Sequence, residues 1–114
     1  MIDKHLLDEL LAFRRERDWE QFHTPRNLAA GVCIEAAELL EHFQWLTEAQ
    51  SQALAAEKKA EVATEAADVF LYLLQLCDKL DIDLMAAAHA KMQVNAAKYP
   101  VPLARGTATK YTDL

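Results

Sequence analysis

Glu65-Ala66-Ala67-Asp68-Val69-Phe70-Leu71-Tyr72-Leu73-Leu74-Gln75-Leu76-Cys77 is the stretch whose reading decides the fold. It contains no glycine, no proline and an alanine spacer, so it favours helix. Extended to Glu57 on one side and Leu80 on the other, it carries an apolar stripe of Val62, Val69, Tyr72 and Leu76 at helical period. Glu65 falls inside that stripe, with Glu61 and Asp68 flanking it. The half from Val69 to Cys77 is apolar nearly all round, and such a helix has to be covered on several sides. That predicts a subunit interface. The longest apolar run, Val69 to Leu76, is interrupted by Gln75 and is far shorter than the roughly 20 residues of a membrane span.

Working outward, the same arrangement occurs once more. Glu35-Ala36-Ala37-Glu38 lies in a helix expected from about Pro25 to Trp45, opened by Thr24 as cap and proline at the first helical position. Leu28, Val32, Leu39 and Phe43 make its stripe, and Glu35 again sits within it, with Glu38 and His42 at its edge. An i, i+3 pair places two carboxylates on one helix face. A solvated surface is the ordinary reading of any single such pair. Two pairs that interrupt apolar stripes make a different case, because carboxylates aimed into a core lose hydration and repel one another. A hard divalent cation relieves both costs. Carboxylate-only ligation suits Mg2+, with Mn2+ as substitute. Helical dimetal sites of the Glu-x-x-His type are a poorer match, since neither pair ends in histidine.

The rest of the chain reads as further helices. Asp3 caps a first helix to about Asp18, with Leu6, Leu7, Leu10, Leu11 and Phe13 on its apolar side and Arg14 to Asp18 as its wet end. Thr47-Glu48-Ala49-Gln50 has the capping-box pattern of a short helix, which either stands alone or joins the one after it. Asp83 caps a last helix, about Leu84 to Lys98, stopped by Pro100. The segment from Pro100 to Leu114 reads as an extended tail. With 114 residues, 53% of them hydrophobic, two glycines and three prolines, the chain is expected to form one all-α domain over residues 1–114: a four-helix-bundle-like subunit assembling into dimers or tetramers. A net charge of −6 argues against nucleic acid or an anionic membrane as partner. Cys33 and Cys77 lack CxxC spacing, stand in apolar helical surroundings and read as buried free thiols of a cytoplasmic protein. The N-terminal residues show no signal-peptide apolar region.

Other residues are candidates for ligand contact. His23, Trp45 and Tyr72 could meet a base, although a lone aromatic is more often core. Lys91, Asn95 and Lys98 share one helix face, suited to phosphate or sugar and equally to solvent. Arg105, Lys110 and Tyr111 could close over a ligand. His5, His42 and His89 have no ligand partner at a telling spacing.

Glu35-x-x-Glu38 followed by Glu65-x-x-Asp68 resembles the signature of the all-α nucleoside triphosphate pyrophosphatases, the MazG-like superfamily. Arg17-Asp18-Trp19-Glu20-Gln21-Phe22-His23, Pro25-Arg26-Asn27-Leu28, Phe43-Gln44-Trp45, Lys91-Met92 with Asn95, Lys98-Tyr99-Pro100 and Lys110-Tyr111-Thr112 resemble its dCTP pyrophosphatase branch. Ala36-Ala37 stands where many relatives have Val-Gly, a change that suits a helix. The resemblance implies Mg2+-dependent cleavage of a nucleoside triphosphate, dCTP or a modified dCTP, to the monophosphate and pyrophosphate, in nucleotide-pool house-cleaning. It implies Glu35, Glu38, Glu65 and Asp68 as metal ligands, Glu38 as general base, and His23, Trp45 and Tyr72 around the base. Lys91, Asn95, Lys98 and Tyr99 would meet sugar or phosphates, with Lys110 and Tyr111 in the closing tail. Competing expectations keep the fold and change the substrate to dUTP or another non-standard nucleotide, or remove catalysis and leave a helical protein-binding module.

Overall fold

A computed structural model describes residues 3–114. All regular structure among them is helical: α1 (Lys4–Glu16), α2 (Pro25–Glu41), α3 (Glu48–Ser51), α4 (Ala56–Lys79), α5 (Leu84–Lys98), α6 (Val101–Ala104) and a closing 3-10 turn (Tyr111–Asp113). The all-α expectation is met. The caps form where the sequence puts them. Asp3 Oδ1 accepts from the His5 amide at 2.8 Å, Thr24 Oγ1 from Asn27 at 3.3 Å and Asp83 Oδ1 from Ala86 at 3.0 Å. The Thr47–Gln50 box closes reciprocally, at 3.2 Å and 2.9 Å. Each cap satisfies an amide that the first helical turn leaves without an internal partner.

The chain divides into two compact units, which meet between Ile82 and Asp83. The first holds α1 to α4. Its central packing is α2 against α4, with α1 resting on α4. Leu28, Leu74 and Cys77 are the buried apolar side chains of this core among the described residues. Gly31 is what allows the two central helices to approach. A Cβ at that position would stand 2.5 Å from the Tyr72 ring carbons Cδ1 and Cε1, well inside van der Waals contact. The second unit, Asp83–Leu114, holds α5, α6 and the 3-10 turn.

Several expectations need correction. Helix α2 ends at Glu41 rather than Trp45, because the amides of His42 and Phe43 turn to carbonyls three residues back and tighten the last turn. Of the two alternatives left open for the short helix, the structure has the first: α3 stands alone, and α4 begins after Ala55. The segment after Pro100 is not simply extended, since prolines at its N-terminus preset a short helix at α6. Arg14 does not belong to a wet end; it is 4% exposed. It follows Leu7 and Leu10 at helical spacing and therefore faces inward with them. Cys77 is buried as expected, whereas Cys33 is exposed. The apolar half of α4 is mostly covered within the chain. The large apolar side chains left in water there are Phe70 and Leu80, while α2 and the loop after it expose Ile34, Leu40 and Trp45.

Candidate metal centre and aromatic cavity

Both halves of the candidate site lie within the first unit. α2 supplies Glu35 and Glu38, and α4 supplies Glu65. One carboxylate oxygen from each lies within 4.8 Å of the others. Oxygens that share one hard cation at about 2.0–2.6 Å are separated by at most about 5 Å, so the spacing fits such an ion. Two further observations point the same way. Glu35 Oε2 and Glu65 Oε2 are buried without a hydrogen-bond partner, a state that costs roughly 1–3 kcal/mol per group. The Glu35 carboxyl is also pushed up from 4.5 to about 7, first by burial, then by its hydrogen bond to Glu38 and by the charges of Glu38, Asp68 and Glu65.

Asp68 follows Glu65 by one turn. Its negative charge helps to raise the Glu35 carboxyl, and it also lines a neighbouring cavity of about 240 Å3. His42, on the other side, stands 3.8 Å from Glu65 and 3.8 Å from Glu61. Sequence spacing could not show this, because both carboxylates come from the opposite helix.

The cavity is lined by Phe13, Trp19, His23, Leu71 and Tyr72, with Leu10, Arg14, Asp68 and Gln75 between them. Local backbone chemistry puts Trp19 there. α1 ends with Asp18 at φ 53°, the Asp18 amide on Arg15 O and the Trp19 amide on Arg14 O, both at 3.1 Å. This pair of bonds is the Schellman closure, which brings the residue two past the cap back onto the helix. Trp19 accordingly meets Phe13 edge-on at 5.7 Å between centroids. His23 follows, 6.0 Å from Trp19 and 6.5 Å from Tyr72. Its Nδ1 lies 2.9 Å from Gln75 Oε1, so Nδ1–H donates to that oxygen, and in the neutral ring Nε2 is the acceptor.

Arg14 is the unexpected member. Its Nη2 makes long contacts to Glu20 at 3.5 Å and Asp78 at 3.9 Å. Nε and Nη1 are buried and have no partner among the described residues. The sequence carried a signal for Trp19 in its aromatic segment. For Arg14 the only signal was its register with Leu7 and Leu10.

The candidates therefore separate by place. Glu35, Glu38 and Glu65 converge, Asp68 adjoins them, and His23 and Tyr72 share the cavity. Trp45 is 86% exposed and is not among the lining residues. In the second unit, Asn95 and Lys98 are half-buried, and Lys91, Arg105 and Lys110 are exposed. Lys98 Nζ sits 4.5 Å over the Tyr111 ring, and Tyr99 meets Tyr111 edge-on at 6.0 Å. These contacts tie the 3-10 turn to the end of α5.

An all-α chain with convergent helical carboxylates beside an aromatic cavity defines a class, and comparison with known proteins identifies which. The chain belongs to the MazG-like family, which it matches over residues 31–114. It is 47% identical over 104 residues to dCTP pyrophosphatase 1 of Mus musculus and 42% identical over 104 residues to that of Homo sapiens. Each match takes in 90% of this chain and 61% of the relative, so the chain spans about three-fifths of their length. Among solved structures it resembles a pyrophosphatase from Archaeoglobus fulgidus, with TM-score 0.81 and 46% identity over 85% of this chain and 91% of that one.

Proposed function

We propose that this chain acts as a single MazG-like domain that hydrolyses a deoxynucleoside triphosphate, dCTP or a modified dCTP, to the monophosphate and pyrophosphate. The observation that carries this reading is Asp68, which belongs to one half of the site and acts by its charge on the other. It lines the aromatic cavity and also acts on the Glu35 carboxyl. A base held in the cavity would have its phosphates beside the acidic cluster. At about 240 Å3 the cavity falls below the range of whole-ligand pockets, which suits one ring with the rest of the ligand outside. The names of the relatives supply the base.

A polyanion does not approach carboxylates unaided. Glu35, Glu38, Glu65 and Asp68 would hold Mg2+, for which Mn2+ could substitute. When bound, a hard dication neutralises phosphate charge and withdraws electron density from phosphorus. The remaining chemistry falls to the chain. Phe13, Trp19, His23 and Tyr72 exclude water from the base and fix its plane. Glu38 accepts the proton of the attacking water, whose oxygen bonds to the α-phosphorus. The bond from that phosphorus to the bridging oxygen breaks, and pyrophosphate leaves with the electron pair. Lys91, Asn95, Lys98, Tyr99, Lys110 and Tyr111 are proposed to meet sugar or phosphates.

We also propose a homodimer or homotetramer, because Ile34, Leu40 and Trp45 are 59%, 60% and 86% exposed, costly for apolar side chains left in water. The chemistry belongs in the cytoplasm, consistent with two free cysteines. No helix among the described residues is long and apolar enough to cross a membrane. The test is pyrophosphate release from a panel of natural and modified triphosphates with and without Mg2+. Metal-dependent release with dCTP favoured is expected, and it should be lost in Glu65→Gln. Preference for dUTP would change the substrate, and no release from any triphosphate would leave a binding module.

A further inference from the structure

We propose that Arg14 is a specificity-determining residue that reads the hydrogen-bond acceptor edge of the base. The inference rests on the reading above, in which the base enters the aromatic cavity. Arg14 lines that cavity and is 4% exposed. Its Nε and Nη1 have no partner among the described residues. A guanidinium offers only donors, so an occupant that satisfies it must present acceptors. The long contacts from Nη2 to Glu20 and Asp78, 3.5 and 3.9 Å, offset part of its charge and leave the other nitrogens for an incoming group.

Cytosine presents two adjacent acceptors, N3 and O2, next to the 4-amino donor. Uracil and thymine carry a donor at N3 and an acceptor at position 4. Arg14 therefore matches the cytosine N3/O2 edge and opposes a uracil N3–H. His23 fits the same pattern: with Nδ1–H donating to Gln75 Oε1 at 2.9 Å, the neutral ring presents Nε2 as an acceptor suited to an amino group. A buried donor left facing another donor is a stronger source of discrimination than a missing apolar contact. A second role is available to Arg14, that of a structural cation tying α1 to Asp78 and to the loop at Glu20. That role changes stability without changing which base is preferred.

The experiment measures affinity by calorimetry for α,β-imido-dCTP and its 3-deaza counterpart, which lacks only the N3 acceptor. Pyrophosphate release from dCTP is followed separately. The wild-type chain should bind the 3-deaza compound about 10- to 100-fold more weakly, the range of one hydrogen bond to a charged group. Arg14→Met should bring the two affinities to within about twofold of each other, mainly by weakening the dCTP analogue. Should that variant fail to fold, Arg14→Lys, which keeps the charge toward Glu20 and Asp78, should narrow the ratio. Equal affinities in the wild type, or an unchanged ratio in a folded variant, would overturn the role of Arg14 whether or not dCTP is hydrolysed. Absence of pyrophosphate release with the affinity ratio intact would overturn the enzymatic reading and leave the base-reading role standing. Failure of both analogues to bind, together with no pyrophosphate release, would overturn both.

Discussion

Gly31→Ala sets two effects of opposite sign against each other at the centre of the molecule. On propensity alone, alanine in the middle of α2 should stabilise the protein by about 1 kcal/mol. The packing says otherwise. The new Cβ would stand 2.5 Å from Tyr72 Cδ1 and Cε1 and 3.1 Å from Cγ, so the ring must retreat by about 1 Å to regain the 3.5–4.0 Å of ordinary carbon contact. Overpacking of this kind costs typically about 1–3 kcal/mol. Subtracting the propensity gain leaves a net destabilisation of about 1 kcal/mol, on the order of 4 °C in Tm for a chain of this size. The retreating ring also intrudes on the cavity that Tyr72 lines, so KM for dCTP should rise more than kcat falls. Urea unfolding of four proteins provides the assay: wild type, Gly31→Ala, Tyr72→Ala and the double variant. In the Tyr72→Ala background, where the ring is gone, Gly31→Ala should turn stabilising by about 1 kcal/mol, giving a coupling near 2 kcal/mol. A Gly31→Ala protein that is more stable than wild type in both backgrounds would refute the claim that the ring sets the distance between α2 and α4.

The acidic cluster gives a pH prediction. Glu35 is raised from 4.5 to about 7, so the metal-free native state holds a proton that the unfolded chain releases. The associated stability is fully present below pH 4.5 and is lost as pH rises through about 7. Tm of the metal-free protein should therefore fall across that window, Glu35→Gln should flatten the fall, and a wild-type Tm independent of pH there would count against a crowded site. Millimolar Mg2+ should raise Tm at pH 8 beyond an ionic-strength control, and Glu35→Gln/Glu65→Gln should lose that rise; equal rises in both proteins would remove the shared metal site. Trp19→Ala, at the tryptophan that lines the cavity, should raise KM for dCTP about 10- to 100-fold, the scale of one base-stacking contact, whereas Asp68→Asn should collapse kcat. Matching losses of kcat with unchanged KM would take Trp19 off the base. Light scattering should report a dimer or tetramer, and Leu40→Lys should shift it toward monomer; a monomeric wild type at micromolar concentration would refute the interface.

Much of this protein is local and therefore legible in its residues. The caps at Asp3, Thr24, Thr47 and Asp83 need only a short side chain and an amide two or three residues on. The helical period that follows each of them needs no tertiary partner to be recognised. The acidic pairs belong to the same category, because i, i+3 spacing fixes which carboxylates share a face. That Glu35 and Glu65 lie inside apolar stripes already implied that the two faces meet.

What the sequence could not carry depends on distances between elements. Arg14 stands in a run of charged residues that composition assigns to water. Only the packing of α1 on α4 buries it and leaves Nε and Nη1 without partners. The end of α2 at Glu41 was decided by turn geometry after an uninterrupted helical pattern. Cys33 and Cys77 look alike as residues, yet one faces solvent and the other the core, because helical phase relative to a neighbour is a tertiary property. His42 meets Glu61 and Glu65 across the α2–α4 interface, a contact that no spacing along one helix encodes. The sequence by itself determined the long helices, the caps at Asp3, Thr24, Thr47 and Asp83, and the carboxylates. The tertiary structure alone decided which side chains close the cavity, since a cavity forms from the approach of three segments whose separation short-range propensities do not constrain.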